Sequence, residues 1–415
     1  MGQMQVIVVG SGIIGLATAY ELARRGCEVT VVGDRAPGTG ASINNAGWIV
    51  PAESGPVPAP GLVLQALRWM LRPDSPVYIR PTPSPSLVRF LIGMYRACSP
   101  AAYATAFEAT AQLGRGTMDD LDRWAGDGLT FEMHREGELR VYVEAAELRR
   151  AAGDLGRYER AGFEPALLGG AEAQTLVPGL SDAVIGAIRF PNERHVRPAT
   201  LVAALVDRLR ALGVVWLDGP VTAARRPASG GVEVVGPFGA ARGDAAVIAA
   251  GAWSARVAGL FGVRLPIRPG KGYSLDYVPA PLATRIPIML AEAHCVVTPL
   301  DGALRVAGTM ELGGLDERIS AVRVAALRRA PGRYLPGWDP AAPSLAPTAG
   351  LRPMAPDGLP VIGRLAGAEG LFVATGHAML GLTLAPRTAR LLADAMLDGA
   401  DPEVLRPFSP RRFGA

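Results

Sequence analysis

The chain has 415 residues, of which 49% are apolar and 19% charged, with a formal net charge of +4. That length fits one large α/β body or two interleaved domains; the composition excludes a disordered tail, and the scattered Lys and Arg residues form no basic run of the kind that binds nucleic acid. Three widely spaced cysteines, Cys27, Cys98 and Cys295, and four histidines imply no disulfide framework or zinc site, and the absence of a basic leader or a bilayer-length apolar run predicts a cytoplasmic location.

Gln5-Val6-Ile7-Val8-Val9 is a β-branched run suited to a buried parallel strand, and Gly10-Ser11-Gly12-Ile13-Ile14-Gly15 follows it without a gap. Residues 16–25 read as a helix. In this G-x-G-x-x-G turn Gly10 permits the tight bend, Gly12 lets the backbone approach a pyrophosphate, and Gly15 lets helix pack on strand, with the phosphates at the positive helix end. A second strand, Glu28-Val29-Thr30-Val31-Val32, completes the βαβ context that gives the motif its meaning. The acid expected at the end of that strand to bond a ribose is replaced by Gly33; Asp34, one residue later, is the candidate, against a solvated loop acid.

Residues 51–60 and 80–85 are proline-rich and flank 61–72, where Leu62, Ala66, Trp69 and Met70 share a helical face with Arg68 and Arg72 off it. This is a packing helix or a basic amphipathic helix that touches a membrane surface. Residues 100–126 have a helical pattern, 137–143 alternate like a strand, and 198–212 read as a helix. The apolar run 245–250, ending in Gly251-Ala252-Trp253-Ser254, can return the chain to the nucleotide-binding sheet with its backbone close to a ligand. Strands are expected around Lys271-Gly272-Tyr273-Ser274 and through Arg305-Val306-Ala307-Gly308-Thr309, then a helix over 320–330. A last helix over 383–397 places Pro386 in its first turn.

The closing motifs are Gly350-Leu351-Arg352-Pro353, Asp357-Gly358-Leu359-Pro360-Val361-Ile362-Gly363 and Thr375-Gly376-His377 through Thr383. Together with the opening fingerprint, Ser42-Ile43-Asn44-Asn45-Ala46-Gly47 and 249–254, they resemble FAD-dependent D-amino-acid oxidases and dehydrogenases over nearly the whole length, with bacterial D-amino-acid and D-hydroxyproline dehydrogenases nearest in look. The resemblance implies an α/β fold. A Rossmann-like FAD-binding domain of glutathione-reductase type (1–50, 195–260 and 346–415) would interleave with an α+β substrate domain on an antiparallel sheet (51–194 and 261–345).

By the same resemblance the cofactor lies against Gly10, Ser11, Gly12, Ile13, Ile14, Gly15, Asp34, Arg35, Ala41, Ser42, Asn45, Ala46, Gly47, Val221, Ala250, Gly251, Trp253, Gly376, His377, Gly381, Leu382 and Thr383. His377 is alternatively a structural helix-entry residue. Arg352 matches the arginine that holds the substrate α-carboxylate, where a planar fork suits two oxygens; a salt bridge beside a proline turn is the other reading. His294 falls where relatives carry a substrate-contacting tyrosine, and Tyr273 is the remaining aromatic hydroxyl in a matching motif; either residue can instead face the core. Ala349, Ala378 and Leu382 also depart from the family pattern and alter the pocket.

The implied reaction oxidises a small D-amino or cyclic imino acid by hydride transfer from Cα to flavin N5, with electrons passing on to a quinone, an electron-transfer protein or oxygen. Peripheral contact with the inner face of the cell membrane is compatible with it. Alternatives are an enzyme for another amine (glycine, sarcosine, an opine or a proline derivative), a flavoprotein subunit of a hetero-oligomer, a retired binding paralogue, or a NAD enzyme using the same fingerprint.

Overall fold

The computed structural model describes residues 3–62, 66, 75, 77–80, 84–399 and 401–415. The β-branched Gln5–Val9 run forms a buried strand at the middle of a six-stranded sheet, with parallel neighbours on both sides: Val6 pairs with Val29 of Glu28–Gly33 and with Ala245 of Ala245–Ile248. The order across the sheet is Val215–Asp218, Glu28–Gly33, Gln5–Val9, Ala245–Ile248, Leu371–Thr375 and Val361–Arg364, and only the last strand runs antiparallel to its neighbour. Such a doubly flanked parallel sheet needs continuous apolar strands, which these sequences supply.

The Ile13–Ala23 helix buries Leu16, Ala17, Ala19 and Tyr20 against the Pro198–Ala211 and Gly381–Leu397 helices. Each fully buried leucine there contributes about 1.5–3 kcal/mol of transfer free energy. This packing fixes the start of both Ile13–Ala23 and Gly381–Leu397 above the same edge of the sheet.

A second, larger sheet is mostly antiparallel. Its order is Thr348–Met354, Arg268–Tyr277, Ala303–Leu312, Cys295–Leu300, Ile288–Leu290, Glu138–Tyr142, Gly186–Phe190 and Ala166–Gly169, with Val77–Ile79 alongside the end of Ala303–Leu312. Alternation decides which side chains face which layer. On one face Tyr273, Leu275, Tyr277, Val297 and Val306 make a separate core. A small sheet of Trp48–Ile49, Arg194–Val196 and Met133–His134 joins the strand that leaves the nucleotide-binding part to the substrate side.

Local differences from the sequence expectations have simple causes. The 100–126 helix is two, Pro100–Gly114 and Thr117–Gly126, because the chain turns at Gly116. The last helix begins at Gly381, so Pro386 stands inside it and not in its first turn; its missing N–H and ring are accommodated one turn in from the helix start. The amphipathic helix expected over 61–72 lies, apart from 61, 62 and 66, outside the described residues. Among the described residues no helix is long and apolar enough to cross a membrane.

Candidate active site

The carboxyl ends of the parallel strands, where Val9, Val32, Ala249 and Ala374 stand, open onto a cleft of about 1370 Å³ including its mouth. Ligands of open α/β sheets bind at such strand ends. The cleft gathers Gly10, Ser11, Gly12, Ile13, Ile14, Asp34, Arg35, Ala41, Ser42, Asn45, Val221, Ala250, Gly251, Trp253, His377, Gly381, Leu382 and also Arg352. Gly15, Ala46, Gly47, Gly376 and Thr383 are not part of its wall. Thr383 instead accepts from Val50 N at 3.1 Å and donates to Trp48 O at 3.2 Å, tying the last helix to the strand beneath.

Two helix starts face this space. Gly12, the N-cap of Ile13–Ala23, and Leu380, the N-cap of Gly381–Leu397, give no side-chain cap, so first-turn N–H groups remain open to an anion or a carbonyl; Ile13 N is met by Ser42 Oγ at 2.9 Å. One donor set suits a pyrophosphate and the other a negatively charged ring edge, so the residues present fit a flavin dinucleotide. A β-carbon at Gly33 would stand 2.5 Å from Ser11 Oγ, so a side chain there would crowd the turn, while Asp34, one residue on, lines the cleft. Arg35 pairs with Glu317 at 2.8 Å and lies 4.8 Å over the Trp253 ring, joining a loop of the substrate side to the nucleotide-binding side.

The 41–47 turn is built by its own amides and gripped from the antiparallel sheet. Asn45 Nδ2 donates to Ala41 O and Ser42 O at 3.0 and 2.8 Å, while its Oδ1 accepts from Gly47 N at 2.7 Å. Arg305 forms two bonds with Asp276, at 2.6 and 2.7 Å, and turns Nη1 onto Ile43 O and Asn45 O at 2.8 and 2.7 Å. Ser274 Oγ adds a bond to Asn44 O at 2.6 Å.

Arg352 extends from Thr348–Met354 across Gly272 of the adjacent strand: a β-carbon there would meet both Nη atoms and Cζ. Nη1 donates to Thr309 O at 2.8 Å. Among the described residues no carboxylate pairs with this guanidinium, and burial pushes it down to about 10, so it stays cationic at neutral pH while lacking a counter-ion. The salt-bridge alternative for Arg352 therefore has no partner among those residues.

The structure does not bring Tyr273 or His294 to the cleft. Tyr273 is on the opposite face of its strand from Arg352, 1% exposed, with its hydroxyl donating to Glu311 at 3.0 Å; burial and that carboxylate raise its pKa. His294 is an exposed residue with φ 48° in the turn before Cys295–Leu300. His377 does line the cleft. It is buried and held neutral, pushed down to about 3, with Nε2 3.1 Å from Thr388 Oγ1 and Nδ1 without a partner among the described residues.

A nucleotide-binding sheet joined to an antiparallel sheet, with an unpaired arginine facing the cleft between them, defines a dinucleotide-dependent enzyme of flavoprotein architecture. The profile of the DAO family, described as "FAD dependent oxidoreductase", matches residues 5–395. "D-amino acid dehydrogenase" of Cereibacter sphaeroides is 36% identical over 97% of this chain and 93% of its own length. The protein of the same name from Chromohalobacter salexigens is 33% identical over 95% and 96%. Among solved structures, glycine oxidase from Geobacillus kaustophilus superposes with a TM-score of 0.78 at 25% identity, covering 98% of both chains. L-proline dehydrogenase from P. horikoshii shares the fold with a TM-score of 0.79 at 18% identity, over 99% and 98%. The chain belongs to the DAO family of FAD-dependent oxidoreductases.

Sequence reading passed over Arg305 and Asp276 as ordinary strand residues. Arg305 is a charge at a buried position of an alternating strand, and half-buried Asp276 stands directly opposite it in the ladder. It also passed over Glu132, His134 and Asp301, whose ligand atoms lie within 4.8 Å of one another. Glu132 there is already engaged by the Arg197 guanidinium and Asp301 N, so this group is an internally satisfied knot.

Proposed function

We propose that the protein oxidises a small D-amino or cyclic imino acid to its imine, which water converts to a 2-oxo acid. The observation that carries this reading is Arg352: a guanidinium in the cleft with no carboxylate partner among the described residues. A substrate carboxylate supplies the missing counter-charge, and a charge-assisted bond of that kind contributes about 1.5–3 kcal/mol. Thr309 O fixes Nη1, leaving the rest of the fork to orient the substrate.

FAD, when bound, supplies the two-electron acceptor for the hydrogen lost from Cα. Gly10 to Ile14 would take its phosphates, Asp34 its ribose, and the start of Gly381–Leu397 its ring edge. Neutral His377, with one imidazole nitrogen on Thr388, offers its other nitrogen to a polar group without bringing a charge. The names of the relatives, D-amino acid dehydrogenase, support the D-amino acid as substrate class.

The acceptor of the electrons is read as a quinone or an electron-transfer protein at a peripheral docking face. On the Pro85–Ala97 helix Val88, Ile92 and Tyr95 are exposed along one stripe, beside exposed Arg89 and Arg96. That pattern of apolar and basic residues favours contact with an anionic membrane surface.

Anaerobic mixing of the FAD-loaded protein with D- and L-amino acids, cyclic imino acids and N-substituted glycines tests the reading. Bleaching of the flavin band by D-amino or cyclic imino acids is expected. A yellow protein that none of them bleaches overturns it.

A further inference from the structure

The 313–320 loop joins Ala303–Leu312 to Ala321–Arg329 and stands at the surface, with Leu315, Arg318 and Ile319 exposed. Charged groups fasten it to the antiparallel sheet. Asp316 accepts from Arg80 Nη1 at 2.9 Å and from Arg318 N and Nε, each at 3.0 Å. Lys271, 3% exposed and next in sequence to Gly272, donates from Nζ to Arg318 O at 2.9 Å. Glu317 thus stands between two pinned residues. Nothing in the reaction as derived so far uses it, and it is not part of the cleft wall.

Glu317 nevertheless reaches the nucleotide-binding side. Arg35 Nη1 donates to both of its carboxylate oxygens, at 2.9 and 2.8 Å, and the Arg35 guanidinium lies 4.8 Å from the centre of the Trp253 ring. A β-carbon at Gly40 would stand 4.0 Å from Glu317 Oε1, so the same carboxylate is near both ends of the 35–40 loop. That loop runs from Asp34 to Ala41 and Ser42 in the cleft wall, and Arg35, Ala36 and Thr39 in it are exposed. A bond from Gly219 N to Gly33 O, at 2.7 Å, brings Gly219, Pro220 and Val221 of the wall beside Asp34 and Arg35. A ligand at this end of the cleft is bordered by Arg35 and the Trp253 ring, and Arg35 is steered from its far side by Glu317.

We propose that Glu317 is a positioning residue for the cofactor: it holds Arg35 against Trp253 at the ribose end of the cleft, and this clasp has to open before the dinucleotide leaves. This rests on the ribose lying at Asp34, and on no assumption about the amino acid that is oxidised. The Arg35 and Glu317 side chains are 41% and 34% exposed, so the pair alone is weak and is screened by salt, while the flat Trp253 face adds a cation–π contact. Breaking a clasp of that strength raises the open population about fivefold. Its signature is therefore the rate at which the cofactor is lost, not the stability of the fold.

Exchange of bound FAD against an excess of radiolabelled FAD reads that rate directly. In Glu317→Gln exchange is expected to quicken about fivefold, and in Glu317→Asp, which keeps the charge on a shorter stem, by less. Raising salt from about 0.05 M to about 0.5 M should quicken exchange more in the unmodified protein than in Glu317→Gln, which has no pair left to screen. Equal salt effects in the two proteins overturn the clasp. Because Glu317 acts through Arg35, Glu317→Gln is expected to add nothing in an Arg35→Gln background. A purely structural role for the loop would speed exchange equally in both backgrounds, and that outcome overturns the clasp as well. So does unchanged exchange in Glu317→Gln, or slower exchange, which would mean that Glu317 draws Arg35 away from the cofactor. Asp34→Asn separates the clasp from the ribose placement: faster exchange there with no change in Glu317→Gln removes the clasp alone, and no change in either removes both. Should Glu317→Gln not load FAD, Glu317→Asp, alone and in the Arg35→Gln background, decides the matter.

Discussion

The guanidinium of Arg352 occupies the space beside Gly272 in which any other residue would carry its β-carbon, and both belong to neighbouring strands of the antiparallel sheet. On the proposal that Arg352 holds the substrate carboxylate, the glycine is part of that site although it has no side chain to offer. Gly272→Ala is expected to fold, since the strand conformation is open to alanine, but to push the guanidinium off Thr309 O and out of line with the cleft. The Michaelis constant for amino acids should rise by roughly one to two orders of magnitude, the value of about 1.5–3 kcal/mol for a charge-assisted bond. Steady-state kinetics beside an unchanged flavin spectrum would show it; normal kinetics would mean that Arg352 has room to retreat.

Arg352 itself should separate stability from function. An unpaired cation in a desolvated site costs folding free energy, so Arg352→Met is expected to melt at or above the wild-type temperature while losing most amino-acid turnover. Arg352→Lys should recover little, because a single ammonium does not reproduce the fork. Because burial lowers the group to about 10, the charged form dominates below that pH; substrate affinity is expected to hold through neutrality and weaken as pH rises through about 10. A melting temperature several degrees lower in Arg352→Met would show that the cation has a structural partner after all.

Arg305 ties the antiparallel sheet to the turn that lines the cofactor cleft, through Asp276 on one side and the carbonyls of Ile43 and Asn45 on the other. Removing one partner of such a largely buried pair costs about 3–5 kcal/mol. Arg305→Ala should consequently weaken FAD binding, measured by titrating the apoprotein and following quenching of free-flavin fluorescence, before it affects the secondary structure. Asp276→Asn should do the same more mildly, since the amide still accepts one hydrogen bond. Unaltered FAD affinity in both variants would leave the 41–47 turn standing on its own asparagine bonds.

These cases show where sequence carries the site and where it stops. The Gly10 to Gly15 turn, the strand before it and the helix after it are local, so their positions follow from residue type alone. Arg352 was accessible because a short motif fixes it next to its proline. Tyr273 and His294 were not, because the face a strand residue presents depends on pairing: Tyr273 stands opposite Ala349, and the register shifts between Lys271 and Tyr273 against the next strand. A period-2 pattern says that neighbours alternate without saying which set meets the cofactor. Arg305 and Asp276 were hidden for the same reason, being 29 residues apart in sequence and opposite only once the ladder is formed.

The buried carboxyls around Arg140 give a pH signature of stability. Burial raises Glu138 to about 7 although Arg140 pulls the other way, and one of its oxygens has no hydrogen bond. The sign follows from comparing the two states: the folded protein holds this proton more tightly than the unfolded chain, whose carboxyl has its ordinary value near 4.5. Its contribution is fully present below about pH 4.5 and is lost as pH rises through about 7. The whole difference is worth up to roughly 3 kcal/mol. Glu138→Gln cannot ionise, so its stability relative to wild type should improve steadily between pH 4.5 and pH 8, whatever fixed offset the lost ion pair imposes. Glu193 is raised in the same direction, first by its burial and next by the Glu138 charge, so in Glu138→Gln its own drift shrinks too and adds to the widening gap. Denaturant titrations of the two proteins across that range provide the measurement. A stability gap that stays constant with pH would mean that Arg140 keeps Glu138 ionised throughout, and that the proton is held elsewhere in the group.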